Sequence, residues 1–254
     1  MALLAVSAIG KSFTHNGTIV PILKELTFDA GAGEVIVLRG ANGCGKTTLL
    51  NILAGIESPT TGRVVWQLPF TGVPVGYVFQ NYASSLLPWL TLAENIFLPL
   101  RLRRMSRAEQ NARLVTLNQF YDITTIPMTR FPAQASGGQK QRASIARSLI
   151  CPSPVVLFDE PFSALDDDGH HDLTRAVEIL RQNEKRLIVM VLHDLDDAIL
   201  LADRLLILGD HPTSIVANIE VDLSRPRSYD QKLTPEFAQL RKVVLERSHA
   251  GLER

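Results

Sequence analysis

The stretch EVIVLRGANGCGKTTLL, residues 34–50, decides the fold class of this chain. Its first six residues are a β-branched run that stops at Gly40 and predicts a buried strand. A helix pattern then runs from Lys46 to Ala54 before Gly55 ends it. A glycine-rich loop between a strand and a helix fits the phosphate-binding pattern that ends in Gly-Lys-Thr. Glycines let the backbone approach phosphates, and the helix N-terminus adds the positive end of its dipole. The sequence therefore predicts a phosphate loop at residues 40–47.

The residues of this loop have separate expected roles. Lys46 would reach the β- and γ-phosphates of a nucleotide, and the Thr47 hydroxyl would bind Mg²⁺. A glycine-rich turn that binds nothing is the alternative, and the strand and helix on either side disfavour it. The predicted nucleotide contacts are Gly40, Asn42, Gly43, Cys44, Gly45, Lys46, Thr47 and Thr48.

The rest of the chain alternates short apolar runs with helical patterns. Continuous apolar strands that alternate with helices favour a mostly parallel sheet covered on both faces. An edge strand is expected at Ser214–Val221. We therefore predict an α/β fold with a P-loop NTPase core, whose mostly parallel sheet has an antiparallel β portion. Further strands are predicted at Val75–Phe79, Val155–Asp159, Leu187–His193 and Arg204–Leu208.

Strand signals vanish between Gln80 and Ser136. Ser106, followed three residues later by Glu109, forms a capping box that predicts the start of a helix of about four turns. This segment is predicted to be a helical subdomain inserted into the α/β core.

A last helix is predicted near the C-terminus. Residues 224–227 form a polar turn, and Thr234 and Pro235 would cap and start the helix. Apolar residues at helical spacing predict one buried face, formed by Phe237, Leu240 and Val244.

Composition narrows the function class. The 254 residues are 46% hydrophobic, which is enough for a full core. Because 26 Lys and Arg balance 26 Asp and Glu, no global positive field would attract nucleic acid or anionic lipid. Cys44 and Cys151 fit a reducing cytosol better than a disulfide framework. The apolar runs are far shorter than the roughly 20 residues that a membrane-spanning helix needs. The apolar N-terminus lacks the features of a signal peptide and is interpreted as a first strand.

Another predicted strand ends in two carboxylates. Residues 155–160, VVLFDE, place Asp159 and Glu160 at the carboxyl edge of a parallel sheet, where α/β proteins bind ligands. Asp159 would hold Mg²⁺ directly or through water, and Glu160 can face an attacking water as general base. The alternative is an acidic strand end facing solvent, which the four preceding apolar residues and the following Pro161 disfavour.

A second glycine turn makes the pattern specific. ASGGQ, residues 135–139, precedes a helical stretch, and such a helix N-terminus can also bind phosphate. One nucleotide does not need two such loops from one chain. Together with the phosphate loop, the turn resembles the ATP-binding subunit of the ABC transporter family, whose signature reads LSGGQ and whose subunits meet head to tail. Ala135 replaces the usual leucine, and its smaller side chain reduces the packing beneath the loop. The resemblance implies that the turn closes over ATP held by a second copy, through Ser136, Gly137, Gly138 and Gln139.

Further family elements occur in order along the chain. Gln80 matches the glutamine that contacts Mg²⁺ and the water, and residues 163–166 match the loop that couples the two sites of the dimer. His193 resembles the switch histidine, which hydrogen-bonds the γ-phosphate. A lone histidine at a strand end is usually structural, but the register of His193 with Glu160 favours the functional role. Phe13 stands where the family stacks an aromatic ring on adenine, and a core phenylalanine is an equally good account.

The resemblance implies cofactors, partners and a location. ATP and Mg²⁺ are expected, with catalysis by Glu160, His193, Gln80 and Lys46. The expected partners are a second copy of the ATPase domain, membrane permease subunits and, indirectly, an external solute-binding protein, without nucleic acid. The chain would lie peripherally at the cytoplasmic face of the inner membrane. The predicted domains are an ABC ATPase domain at 1–222, with its core at 1–80 and 151–222 and a helical signature subdomain at about 81–150, and a helical tail at 223–254.

Two stretches narrow the resemblance. The chain resembles the importers of nitrate, sulfonate, taurine and bicarbonate at residues 87–91 with 94–95, and at residues 220–227 followed by 235–237 and 240–241. The turn at 209–212 departs from that subfamily's pattern. A non-transport ABC ATPase acting on nucleic acid or ribosomes stays open as an alternative, although a coiled-coil insertion or a second ATP domain would be expected. A non-hydrolysing regulatory subunit would lack Glu160 or His193.

Three features have plainer explanations than the functions they suggest. Cys44 lies where a helix N-terminus can lower the pKa of a thiol, yet a small residue tolerated in the loop is sufficient. The acidic stretch 166–172 is expected to be a solvated turn that opens a helix, not a metal site. Residues 101–104 are expected to be a solvated helix face, not a nucleic-acid patch.

Overall fold

The computed structural model of the chain describes residues 2–67 and 75–252. No helix in these residues is long and apolar enough to cross a membrane. The helices and strands are, in chain order, β1 (Ala2–His15), β2 (Thr18–Gly31), β3 (Val35–Arg39), α1 (Lys46–Leu53), β4 (Thr61–Trp66), β5 (Val75–Val78), α2 (Tyr82–Ser85), α3 (Leu92–Leu102), α4 (Arg107–Asn118), α5 (Gly137–Ile150), β6 (Val155–Asp159), α6 (Asp167–Gln182), β7 (Leu187–Val191), α7 (Leu195–Leu201), β8 (Arg204–Leu208), β9 (Ile215–Glu220) and α8 (Pro235–Leu252).

The described residues form two compact units. The first unit contains residues 2–67 and 187–252, and the second contains residues 75–186. The predicted division into an ATPase domain at 1–222 and a tail at 223–254 uses other boundaries and stays a prediction.

The first unit is built on parallel strands with antiparallel additions. Strand β3 runs parallel to both β7 and β8, and its residues 35–38 are fully buried. Strand β9 is antiparallel to β8, and a separate antiparallel sheet has the order β2-β1-β4. A strand covered on both faces needs apolar residues at every covered position, which is why residues 35–38, VIVL, are a continuous apolar run. The predicted α/β class, mostly parallel with an antiparallel portion, is confirmed.

The hairpin between β1 and β2 has a local sequence cause. Asn16 and Gly17 both adopt positive φ, at 49° and 77°, as a two-residue hairpin turn requires. The predicted first strand therefore continues to His15 and pairs with β2.

Four elements end earlier than predicted, and β5 and β9 do so by a single residue each. Strand β7 stops at Val191, because Val191 is the last residue paired with β3, and His193 lies beyond the ladder. Helix α1 stops at Leu53, and Gly55 follows with φ of 71°. The glycine signal for the helix end is correct, since glycine adopts this left-handed conformation without strain.

The second unit combines the parallel pair β5 and β6 with helices. No strand lies within residues 80–136, as predicted. Helix α4 begins with the predicted capping box, in which the Ser106 N–H donates to Glu109 at 2.6 Å. Helix α5 lies so close to β5 that a Cβ atom on Gly76 would be 2.6 Å from the Ser148 carbonyl oxygen. Close backbone contact between helix and strand therefore requires this glycine.

The last helix, α8, starts as predicted. Pro235 is its first residue, and the Thr234 hydroxyl accepts the N–H of Phe237 at 3.3 Å. Phe237 and Val244 are buried and Leu240 is half-buried, so the predicted apolar face is present.

Candidate nucleotide-binding site

The phosphate loop joins β3 to α1 through glycines that no other residue could replace without strain. Gly43 and Gly45 have φ of 78° and 101°. A Cβ atom on Gly45 would lie 2.8 Å from Leu23 Cδ2, and one on Gly40 would lie 2.8 Å from the Leu208 carbonyl oxygen. The loop therefore fits against β2 and β8 only because these positions lack side chains.

Lys46 lies over the loop at the start of α1. Its side chain is buried, and Nζ donates to the carbonyl oxygens of Gly40 at 3.0 Å and Ala41 at 2.7 Å. The first turn of α1 contains no acidic residue, so the positive end of the helix dipole is not offset locally. This combination of a cation, a helix N-terminus and a glycine loop suits a phosphate group.

The other predicted contact residues lie in the loop or in the first turn of the helix after it. Thr47 and Thr48 occupy the first turn of α1, and Asn42 is exposed on the loop. Cys44 is buried, and burial raises the pKa of its thiol, although Lys46 opposes the shift. A raised pKa keeps the thiol protonated and unreactive, which agrees with the plainer account of this residue.

Phe13 lies near the end of β1 with an exposed ring. The side chain is 41% exposed, so the core role left open by the sequence is wrong. Lys11 Nζ lies 4.7 Å from the ring centroid, and Val20 pairs with Phe13 across the hairpin. An exposed aromatic face is available for stacking, and contact with adenine stays a prediction.

His193 follows β7 and precedes the N-cap residue Asp194 of α7. Its side chain is exposed, and its carbonyl oxygen accepts a hydrogen bond from Nη1 of Arg39, the last residue of β3. Burial lowers the pKa of Arg39, and the charge of Asp194 opposes that shift. The first unit thus carries the phosphate loop, Phe13 and His193.

The second unit carries the two carboxylates. Asp159 ends β6 and is 1% exposed, and Glu160 follows with a left-handed backbone, φ 51°. A non-glycine residue at positive φ costs free energy and is often found at functional sites. Val78 of β5 pairs with Phe158 of β6, so Gln80 and Glu160 follow the carboxyl ends of two neighbouring parallel strands. Both residues therefore lie at the same edge of this strand pair, where α/β proteins bind ligands.

The second glycine turn begins α5 through a capping box. The Ser136 hydroxyl accepts the Gln139 N–H at 3.2 Å, and the Ser136 N–H donates to Gln139 Oε1 at 3.0 Å. A hydroxyl that accepts a bond retains its own hydrogen for a further partner. Gly138 faces the Ala164 carbonyl oxygen, which a Cβ atom would approach to 3.3 Å, while Gly137 faces the Tyr82 hydroxyl.

Two buried residues of α5, which the sequence reasoning missed, hold the loop that follows β6. Gln141 Nε2 donates to the Pro161 carbonyl at 2.5 Å, and its Oε1 accepts the Ala164 N–H at 2.9 Å. Arg142 binds Asp166 at 3.1 Å and Asp172 at 2.9 Å. The sequence offers little that could have identified Gln141 and Arg142, because their partners are about 20 residues away or more. Two polar residues on the inward face of a helix are the only local indication.

Arg142 also lines a cleft in the second unit. Its volume is about 540 Å³, and it brings the glycine turn together with the segment at 163–166. Asp166 is the N-cap of α6, so the acidic stretch does open a helix as predicted, although Asp166 and Asp172 are paired with Arg142. The lining residues that matter here are Ser136, Gly138, Gln139, Arg142, Ala164 and Asp166.

The oxygen donors predicted for Mg²⁺ suit a hard cation. Asp159 is a buried carboxylate, and a buried negative charge needs a compensating cation or hydrogen bonds. The pKa of Tyr77 is raised, mainly by burial and further by the charge of Asp159. The carboxylate of Asp159, the hydroxyl of Thr47 and the amide oxygen of Gln80 are the ligand types that Mg²⁺ prefers.

Comparison with known proteins agrees with this geometry. The family model described as ABC transporter matches residues 23–163. The taurine import ATP-binding protein TauB of Pseudomonas aeruginosa is 36% identical over 266 residues, covering 97% of this chain and 95% of that protein. The nitrate transport protein NasD of Klebsiella oxytoca is 37% identical over 237 residues, covering 89% and 88%. A solved dimer of the ATP-binding cassette MJ0796, in a post-hydrolysis state bound to ADP and Pi, has a TM-score of 0.76 at 26% identity and covers 87% of this chain and 100% of that one.

Proposed function

Since the chain belongs to the ABC transporter family, we propose that it hydrolyses ATP to drive solute import through a membrane permease, and that the solute is a small anion or related compound of the nitrate, sulfonate, taurine or bicarbonate type. The observation that carries this proposal is similarity along most of the chain to proteins named for taurine import and nitrate transport. The similarity extends past the nucleotide motifs, so it supports the transport role as well as the ATPase.

The chain is an ABC ATPase, and its reaction is transfer of a phosphoryl group from ATP to water. Such transfer depends mainly on positioning and charge neutralisation. We assign the triphosphate to the phosphate loop, where Lys46, the loop N–H groups and the N-terminus of α1 offset its charge. Water attacks the γ-phosphorus, the bond to the β–γ bridging oxygen breaks, and ADP leaves.

Three side chains are assigned to the attacking water and the γ-phosphate. Glu160 accepts a proton from the water as general base. Gln80 orients the water, and His193 donates a hydrogen bond to the γ-phosphate. Mg²⁺, held by Asp159, Thr47 and Gln80, would offset charge on the β- and γ-phosphates.

The chain acts as a dimer of ATPase domains and associates peripherally with a membrane permease. Within this arrangement we assign a head-to-tail pairing, in which the turn at 136–139 of each copy contacts ATP on the other. The cleft that joins this turn to residues 163–166 supports the assignment. We also place the complex at the cytoplasmic face of the inner membrane, with an external solute-binding protein as an indirect partner.

Purification of the tagged chain from gently solubilised native membranes tests this function. We expect a permease to co-purify and the complex to hydrolyse MgATP. Lys46→Ala is the matched control, because it should retain the permease and lose ATPase activity. Co-purification of ribosomes or DNA instead of a membrane protein would replace the import role with that of a non-transport ABC ATPase.

A further inference from the structure

The carbonyl groups of the phosphate loop need donors of their own. A loop that turns its N–H groups toward phosphates turns carbonyl oxygens the other way, and buried carbonyls are rarely left without a partner. Lys46 Nζ supplies the donor for Gly40 and Ala41. A side chain from a distant part of the chain supplies the donor for Cys44.

That side chain is Thr213, which lies between β8 and β9. Its hydroxyl donates to the carbonyl oxygen of Cys44, 169 residues away in the chain. The hydroxyl also lies 3.4 Å from the Gly209 carbonyl, at the outer limit of a hydrogen bond, so its single hydrogen is assigned to Cys44. Thr213 is fully buried, so water cannot replace this donor.

The backbone of Thr213 is itself fixed by β2. Its N–H donates to the Ile22 carbonyl at 2.8 Å, and its carbonyl accepts the Lys24 N–H at 2.8 Å. Between these two residues, the Leu23 side chain lies against the Cβ position of Gly45. Strand β2, Thr213 and the phosphate loop therefore meet at one point.

The bond from Thr213 differs from the bonds of Lys46 in one respect. When Lys46 turns to a phosphate, the carbonyls of Gly40 and Ala41 lose its ammonium group. The Thr213 hydroxyl lies on the segment between β8 and β9, whose backbone is bonded to β2, and its bond with Cys44 can persist in both states. It is therefore suited to keep the loop in one shape before and after nucleotide binds.

We propose that Thr213 is a positioning residue of the nucleotide site: its hydroxyl holds the Cys44 carbonyl so that the N–H groups of the loop face the phosphates. This inference rests on the proposed assignment of ATP to the phosphate loop. It adds a residue outside every nucleotide motif of the sequence.

The test compares side chains with and without the hydroxyl. Thr213→Val and Thr213→Ala should weaken MgATP and MgADP binding about tenfold, a change of about 1.4 kcal/mol. Thr213→Ser keeps the donor and should bind within about threefold of the unmodified chain. The KM for ATP should rise in the hydroxyl-free variants with a smaller change in kcat, since the residue acts on nucleotide binding.

Thr116→Val is the matched control. It also removes a hydroxyl that donates to a carbonyl, that of Ala112 at 3.0 Å, but on the exposed side of α4. Nucleotide affinity should not change in this variant. Titration calorimetry measures the affinities, and circular dichroism confirms that each variant is folded.

The outcomes separate this inference from the proposed function. If the unmodified chain binds no nucleotide, the assignment of the loop fails. If the unmodified chain binds nucleotide and Lys46→Ala does not, the loop assignment stands. In that case, the role of Thr213 is overturned if Thr213→Val or the smaller Thr213→Ala binds as tightly as Thr213→Ser. A loss of stability alone, with unchanged affinity, would also overturn it.

Discussion

Glu160 is the residue at which local strain and proposed chemistry coincide. It adopts φ of 51° between the buried Asp159 and Pro161. Gln141 holds the carbonyl of Pro161, so the backbone after Glu160 is tied to α5. A strained residue that its neighbours hold in place is expected where a side chain must point in one direction.

Glu160→Gln should keep the shape of this side chain and remove its basicity. We expect ATP turnover to fall about 10²–10⁴-fold, since this is the typical contribution of a general base. An ATP-bound dimer should accumulate, because binding is retained while hydrolysis is blocked. Phosphate release assays measure the first effect and gel filtration with ATP the second.

Glu236→Gln provides the control for this substitution. Glu236 is an exposed acid in the first turn of α8, and its substitution should leave turnover unchanged. Hydrolysis at the normal rate in Glu160→Gln would remove the role of general base from Glu160.

Helix α7, which follows His193, is held at both ends by the C-terminal residues. Arg227 Nη1 donates to the carbonyls of Ile199 at 3.2 Å and of Ala202, at the end where helix carbonyls lack partners. At the other end, Lys232 binds Asp197 at 3.0 Å and Arg241 binds Asp196 at 2.8 Å. These contacts link residues 227–241 to the helix next to the proposed switch histidine.

Arg227→Gln should destabilise this arrangement measurably. We expect the free energy of unfolding to fall by about 1.5–3 kcal/mol, the range for a hydrogen bond that involves a charged group. Arg241→Gln is the matched control, because its ion pair is largely exposed and such pairs contribute only about 0–1 kcal/mol. Urea unfolding measures both, and equal losses would contradict the capping role of Arg227.

At the scale of the whole molecule, the question is which copy of the chain in the dimer supplies the second glycine turn to a given nucleotide. The Ser136 hydroxyl is used in capping its own helix and retains a hydrogen to donate. In a head-to-tail dimer, Ser136 would contact only the nucleotide bound by the partner.

Mixing two defective copies tests this arrangement. Ser136→Arg blocks the turn, and Lys46→Ala blocks the phosphate loop. A dimer with one copy of each retains one intact composite site, so we expect ATP-driven dimer formation to return when the two variants are mixed. Each variant alone is the control. If the mixture forms no dimer in ATP, head-to-tail pairing is wrong.

Local patterns in the chain predicted much of this molecule. The β3–loop–α1 unit, the capping box at Ser106 and the start of α8 at Pro235 are visible in sequence because each depends on a few adjacent residues. Strand ends were less accurate, as at β7, because the last pairing with β3 is not encoded locally. The roles of the site residues stay predictions.

The sequence by itself determined the family, the phosphate loop, the second glycine turn and the acidic end of β6, because each is a short motif whose chemistry depends on adjacent residues. Only the tertiary structure decided that Phe13 is exposed, that Gln141 holds the loop after Glu160, and that Thr213 holds Cys44. The physical reason is that burial and hydrogen bonds between distant residues arise when the elements come together, and no local period or spacing records them.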